Sequence, residues 1–308
     1  MSSIVTTGPA PPALIVVDWG TSSLRVLLLA RDGTVLDRRA LAAGIMQVPD
    51  RDFAGVLAGA LAGWPEDLPA YAGGMIGSRQ GWVEAPYLAC PTDLAALAEA
   101  LVPLPARGRT LRLVPGLSCR TAEGVPEVMR GEEVQVFGAL PQGGDALLVL
   151  PGTHSKWVLA RGGRIERFVT FMTGELFALL KAHSILGRLI EPGPEDEAAF
   201  AQGVRRGAGE PALTHALFAA RTLALCDHLP GAGVAAYLSG LLLGAELAAG
   251  ARLLGAAGGA PLLLVGEPAL VERYRRAAAL LEIEAAPAVP EAAALGCLAL
   301  AQRCGDLA

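Results

Sequence analysis

The sequence predicts an α/β protein of two domains, each opening with a meander of antiparallel strands. Three observations carry this prediction. The chain has 308 residues, the length of two ordinary domains. One short design is written at Val16–Val35 ("VVDWGTSSLRVLLLARDGTV") and again at Val149–Ile165 ("VLPGTHSKWVLARGGRI"): an apolar run, Gly-Thr-x-Ser, a second apolar run and a Gly-containing turn. Each half then continues into segments of helical period and another strand.

Taken in order, residues 1–13 have neither a basic n-region nor a long apolar h-region and read as a flexible leader. Leu14–Val17 is a continuous apolar run and Leu24–Ala30 a second, both reading as buried strands. Asp32-Gly33 supplies the chemistry of a tight hairpin, and Thr34–Arg38 completes the meander. Farther on, "PTDLAALAEAL" offers Thr92 or Asp93 as the N-cap of a helix. "VPEVMRGEEVQVFGAL" places Pro126 near a helix start, with apolar residues on one side through Leu140.

The second copy runs through Ala146–Leu150, Lys156–Ala160, a Gly162-Gly163 turn and Arg164–Thr170. Aligning Gly20-Thr21 on Gly152-Thr153 brings Ser23 onto Ser155 and Val26-Leu27 onto Val158-Leu159, which makes an internal repeat. "TGELFALLKAHSILGR" follows, a helix capped by Thr173 with Leu176, Leu179, Leu180 and His183 on one face, His183 being read as core. The polar "EPGPEDE" breaks the chain before an Ala/Leu-rich helical region. A strand at Pro261–Val265 and a closing helix from Glu291 to Gln302 complete it. The boundary near Gln142-Gly143-Gly144 gives domains 14–142 and 143–308, with the closing helix free to pack back toward the first domain.

Composition narrows the function. Apolar residues make up 53% and charged ones 18%, so the chain can fill buried cores. The net charge is −5 and no basic run stands out, which argues against a nucleic-acid partner. The mean hydropathy of +0.45 comes from Ala, Leu and Gly. The best membrane candidate, Gly233–Val265, is interrupted by Glu246 and Arg252, so no membrane partner is expected. Five scattered cysteines without C-x-x-C, and four histidines without H-x-x-x-H, fit reduced thiols in a cytoplasmic protein. "GAGVAA" at 231–236 follows no strand, and neither a P-loop nor G-x-S-x-G occurs.

A Gly-Thr-x-Ser turn between strands exposes backbone N–H groups and hydroxyls at one point, suited to phosphate oxygens. Asp18 ends the first strand where an apolar residue would be expected. A carboxylate there needs solvent, a cation or donors, which makes a magnesium role natural. Pro151 stands in the matching region of the second copy, so metal work falls to the first alone. Arg25 and Lys156 flank the two turns, and Lys156 is one of only two lysines.

"DWGTSSLR" resembles the first phosphate hairpin of the sugar kinase, Hsp70 and actin superfamily, and "LPGTHSKW" stands where the second belongs. Together with "GGMIGSRQGWVEAPY", "VMRGEEVQVFGAL" and "TFMTGELFALLKAHSILGR", they resemble the 2-dehydro-3-deoxygalactonokinase family from about Ile15 to Gly296. The resemblance implies two ribonuclease H-like domains in an actin-like ATPase fold, with a cleft between them. It also implies ATP and Mg2+ as cofactors and phosphorylation of 2-dehydro-3-deoxy-D-galactonate on its 6-hydroxyl, in galactonate or galactose breakdown.

By that resemblance Asp18, Gly20, Thr21, Ser22 and Ser23 would hold magnesium and phosphate from one side. Gly152, Thr153, His154, Ser155 and Lys156 would do so from the other. The adenosine motif is best matched by Ser239-Gly240 and Gly266-Glu267, both lacking the usual double glycine. Related kinases carry an acid in a Gly-Asp-Gln-like motif before the second phosphate hairpin, and Gly131-Glu132-Glu133 sits there. One of these acids would take the proton of the acceptor hydroxyl, with Arg25 helping to balance charge. Helical periodicity does not choose between them. Position after the glycine favours Glu132, with Glu133 as the alternative.

The substrate carboxylate and keto group call for a guanidinium and donor hydroxyls. Ser78, Arg79 and Gln80 supply these in a glycine-punctuated loop, Trp82 is a candidate pocket wall, and Thr173 and Glu175 stand at a helix start. A nucleotide-binding regulator of the same fold, or a kinase for another acid such as 2-keto-3-deoxygluconate, is the alternative. Epimer preference and oligomeric state, monomer or homodimer, stay open.

Overall fold

The fold was analysed in a computed structural model, which describes residues 10–141, 143–254, 262–286 and 289–307. Two compact units form. The first runs to Leu140 and takes in Gly163–Ile165 and the residues from Glu291 on; the second holds Pro141–Gly162 and Glu166–Pro290.

The first unit is built on β1 (Pro12–Trp19), β2 (Leu24–Ala30) and β3 (Val35–Leu41), followed by α1 (Phe53–Ala60) and β4 (Ala70–Gly74). Next come β5 (Tyr87–Ala89), α2 (Leu94–Glu99), β6 (Val102–Ala106), β7 (Arg109–Leu113), β8 (Gly116–Arg120), β9 (Pro126–Met129) and α3 (Glu132–Ala139). The second unit holds β10 (Ala146–Leu150), β11 (Ser155–Arg161), β12 (Arg164–Phe171), α4 (Thr173–His183), α5 (Glu197–Gly209), α6 (Leu213–Leu225) and α7 (Gly231–Leu253). β13 (Leu262–Leu264), α8 (Pro268–Leu280) and β14 (Ala285–Ala286) complete it, and α9 (Ala292–Arg303) returns to the first unit.

The main sheets have the orders β3-β2-β1-β4-β7-β6 and β12-β11-β10-β13-β14. In each, the meander's first strand is central, antiparallel to the next and parallel to a later strand, β4 or β13. The same plan therefore appears twice, the ribonuclease H-like arrangement of the actin-like ATPase fold. Central strands covered on both faces must be apolar throughout. Leu14, Ile15, Val16 and Val17 of β1 are at most 2% exposed, and all five residues of β10 are buried. A third sheet, β5-β8-β9, branches from the first unit.

The structure corrects several expectations. Pro126 opens a strand rather than a helix: β9 pairs antiparallel with β8, and α3 starts only after Gly131. Proline is tolerated at a strand's first residue, and the ladder partner overrides the helical period. The cap of α4 is Met172, with Thr173 already inside the helix. His183 and Leu179 are exposed rather than core. β1 begins at Pro12, inside the expected leader, whose residues 1–9 lie outside the described residues, as do Pro261 and Gln142.

α7 is long and apolar enough to cross a membrane, yet 72% of that stretch is buried within the protein. It packs along α5 through glycines. A Cβ on Gly203 or Gly207 would fall 2.2 or 2.0 Å from backbone oxygens of α7, and one on Gly240 or Gly244 equally close to α5. The missing side chains let the helices touch backbone to backbone, so the apolar composition of α7 serves a core.

Candidate functional site

The first corner joins β1 to β2. Gly20 N–H donates to the Ser23 carbonyl at 2.9 Å, and Ile45 N–H donates to that of Gly20 at 3.1 Å. Thr21 and Ser22 are exposed and Ser23 half-buried, so the turn offers its donors outward. Asp18 pairs across the ladder with Arg25, whose Nε lies 4.0 Å from its Oδ2. Burial pushes the Asp18 carboxyl above its ordinary value; Arg25 pulls it down and the neighbouring Glu132 pushes it up.

Glu132 reaches this neighbourhood because two glycines touch. Trp19 of β1 lies opposite Gly74 at the end of β4. Gly74 has φ +92°, and a Cβ on it would meet the Trp19 carbonyl at 2.9 Å and Asp18 Oδ1 at 3.4 Å. Gly131, at φ +107°, caps α3, and its own Cβ would stand 3.0 Å from the Gly74 Cα. Only glycine fits such φ values without strain, so α3 starts directly against the end of β4. From behind, α9 packs on α3, and its buried Cys297 thiol is pushed up by burial and by the charges of Asp18 and Glu133.

The two acids of α3 have different surroundings. Glu133 is fully buried, and both its oxygens accept the Gly131 N–H, at 2.9 and 2.7 Å. Burial pushes its carboxyl up to about 8, reinforced by Glu132. Glu132 is half-buried; its Oε2 accepts the Arg130 N–H at 3.0 Å. Glu133 is thus turned inward on its own helix start, and Glu132 is the acid coupled to Asp18.

The loop after β4 carries Ser78, Arg79, Gln80 and Trp82. Arg51 fastens it, donating to the Gln80 and Gly81 carbonyls at 3.2 and 2.6 Å. Arg79 is 87% exposed and 3.5 Å from Glu84. Trp82 stacks on Phe53 at 6.1 Å and packs against the core of the first unit, so one face of its ring is already covered. Ser78 Oγ is buried without a partner, and so are Nε and Nη1 of Arg130 beneath the loop. A buried donor left unpaired costs about 1–3 kcal/mol, so each such group calls for an explanation.

The second corner is held from inside its unit. Its ladder closes at Leu150–Lys156, because Pro151 has no N–H to continue it. Gly152 is half-buried, and Thr153 and His154 are exposed. Ser155 is fully buried: its hydroxyl lies 2.7 Å from that of Tyr274, which donates to Glu246 at 2.8 Å. Glu246 also accepts Trp157 Nε1–H at 2.8 Å and bonds the Thr173 hydroxyl. Burial pushes the Glu246 carboxyl up, against these bonds. Ser155 and Thr173 therefore tie the corner to α7 and α8, which takes both hydroxyls away from the ligand roles expected of them. Lys156 is buried, its Nζ donating to the His154 carbonyl at 3.2 Å.

α4 starts on this corner. A Cβ on Gly174 would fall 2.4 Å from the Gly152 carbonyl, and Glu175 N–H donates to that of Thr153 at 3.0 Å. Glu175 Oε2 lies 2.5 Å from His154 Nε2. Gly266, between β13 and α8, has φ +148°, and a Cβ on it would meet the Pro151 carbonyl at 3.6 Å, so it borders the corner. Ser239 and Gly240 do not: they sit inside α7, with Ser239 Oγ accepting from Arg273 and Gly240 against the backbone of α5. That pair is a packing feature rather than the adenosine motif.

Sequence reasoning missed Gly74, Arg130, Glu246 and Tyr274. Gly73-Gly74 ending a short run of small residues was the available signal for the first. An arginine immediately before the Gly131 cap was the signal for the second. Glu246 was visible only as an acid interrupting an apolar stretch and nothing local marks Tyr274; the two meet through helix packing.

Comparison with known proteins places these features in a lineage. Residues 18–300 match the family model described as 2-keto-3-deoxy-galactonokinase. The chain is 40% identical over 269 residues to a protein of Rhizobium meliloti (strain 1021) named "Probable 2-dehydro-3-deoxygalactonokinase", covering 85% of this chain and 87% of that protein. It is 39% identical over 235 residues to the 2-dehydro-3-deoxygalactonokinase of Escherichia coli (strain K12), covering 76% and 79%. A crystal structure from Sinorhizobium meliloti, described as a protein of the same kind, superposes with a TM-score of 0.84 at 38% identity, covering 94% and 97%.

Proposed function

Since the chain belongs to the 2-keto-3-deoxy-galactonokinase family, we propose that it transfers the γ-phosphoryl group of ATP to the 6-hydroxyl of 2-dehydro-3-deoxygalactonate. The observation that carries the reading is the division of labour in α3. Glu133 is buried on the Gly131 N–H, while Glu132 stands half-exposed and coupled to Asp18.

Glu132 accepts the proton of the 6-hydroxyl as its oxygen bonds to the γ-phosphorus and the bond to the ADP oxygen breaks. Phosphoryl transfer needs little covalent help from the protein, so positioning and charge balance do the rest. Gly20, Thr21, Ser22 and Ser23 offer donors to phosphate oxygens from the first corner. Gly152, Thr153 and His154 offer donors of the same kind at the second corner, and Arg25 offsets charge beside Asp18. Gly266 borders the second corner, where the adenosine end of the nucleotide would lie. Arg79 and Gln80, on the loop after β4, are left to hydrogen-bond the acceptor's hydroxyls.

Among the described residues no cluster of three or more acids, histidines or cysteines could hold a metal. Magnesium bound chiefly by phosphate oxygens and water needs only one or two carboxylates, and Asp18, half-buried beside the first corner, suits that need. Bound there, the ion would neutralise phosphate charge. A metabolic kinase of this kind works in the cytoplasm, where ATP and the sugar acid meet.

The test is ADP release by purified protein with Mg-ATP and a panel of 2-keto-3-deoxy acids, followed by NMR of the product. The reading expects turnover with the galactonate-derived acid and phosphate on its C6 oxygen. Equal or better use of the gluconate-derived epimer would reassign the substrate, and no acid-dependent turnover at all would refute the kinase.

A further inference from the structure

Arg130 immediately precedes the cap of α3, and its guanidinium runs beneath the loop that follows β4. Nη2 donates to the Ala85 carbonyl at 2.8 Å, and the Tyr87 ring lies 4.2 Å from Cζ. The residue is 8% exposed, yet Nε and Nη1 meet no acceptor. Gly77 comes so close that a Cβ on it would stand 3.0 Å from Nη1. The next residue, Ser78, holds the other orphaned group of this region, its buried Oγ. Glu133 feels the charge of Arg130 but makes no hydrogen bond to Nε or Nη1.

A fixed positive charge with unpaired donors, touching the glycine that precedes an unpaired hydroxyl, is complementary to a group that is negative and accepts only. A carboxylate is such a group, and a sugar acid carries one. We propose that Arg130, with Ser78, reads the carboxylate of the acceptor and so restricts the enzyme to sugar acids over neutral sugars. This assignment rests on the kinase reading above. It replaces Arg79, which is 87% exposed and already has Glu84 for company. Gly77 stands against Arg130 Nη1, so the carboxylate would reach the guanidinium by displacing that turn, and the unpaired donors favour the displacement. Because Arg130 and Glu132 flank Gly131, anchoring the acid end fixes the acceptor relative to the base.

The test is a cycle between protein and ligand. Wild type, Arg130→Met, Arg130→Lys and Ser78→Ala are assayed with the sugar acid and with its C1 amide, and a thermal melt confirms that each variant is folded. In wild type, kcat/KM for the acid should exceed that for the amide by about 10- to 100-fold, the worth of hydrogen bonds to a charged group. Arg130→Met should lose that factor on the acid and little on the amide. Arg130→Lys and Ser78→Ala should fall between. Equal losses on acid and amide, or a wild type indifferent to the amide, would overturn this assignment while leaving the kinase standing. A wild type that turns over neither would overturn both. If both Arg130 variants fail to fold, the wild-type comparison and Ser78→Ala still decide.

Discussion

Gly131 and Gly74 meet backbone to backbone: a Cβ on the first would stand 3.0 Å from the Cα of the second. This contact sets the start of α3 against the end of β4 and brings Glu132 beside Asp18. Replacing Gly131 by alanine adds a methyl at a positive φ and against a backbone atom at once. Stability should fall by about 1–3 kcal/mol from the strain. Turnover should fall further, by about 100-fold, because the acid is misplaced by a fraction of an ångström to an ångström. Thermal melts and kcat on the same preparations separate the two effects.

Glu133 gives a pH signature. Its carboxyl is raised from 4.5 to about 8 in the fold, so its contribution to stability is complete below pH 4.5 and is lost as pH rises through 8. Glu133→Gln does not titrate. Between pH 6 and pH 9, urea unfolding should show wild type losing stability relative to that variant. Parallel pH profiles would place the titration elsewhere.

Asp18→Asn should separate stability from function. The fold raises the Asp18 carboxyl through burial, so a neutral isostere should leave the melting temperature unchanged or higher. Loss of its charge should lower turnover by about 100- to 1,000-fold. A melt together with an ADP-release assay reads both.

Glu246 accepts from Trp157 and Tyr274 and anchors the second corner through Ser155. Glu246→Gln sets a donor where three donors already converge. It should raise the KM for ATP by about 10-fold, with the KM for the acid little changed. Tyr274→Phe should do the same, and the double variant should be no worse than the poorer single one, because the residues act as one unit. Losses that add would make them independent.

The β-meanders were legible because buried apolar runs and Gly-containing turns are local signals, and both copies of the Gly-Thr-x-Ser turn fall between the expected strands. β4 was not: Ala70–Gly74 is all small residues apart from Tyr71, and only its place between β1 and β7 makes it a strand. β9 was misread because Val128 and Met129 continue the apolar period of α3, and the break between them is a single positive-φ glycine. At the site, the residue types were visible but their orientation was not. Ser155 and Thr153 look equivalent in sequence, yet one faces Tyr274 and the other solvent. The different surroundings of Glu132 and Glu133 likewise rest on the Gly131 N–H, which sequence periodicity does not reveal.

The most direct measurement is acid-dependent ADP formation by wild type and Glu132→Gln, with both substrates saturating and Glu133→Gln alongside. Glu132→Gln should remain folded, with KM values near wild type and kcat lower by about 100- to 10,000-fold. Glu133→Gln should keep most of its turnover. A Glu132→Gln enzyme within a few-fold of wild type, with Glu133→Gln inactive but folded, would contradict the account.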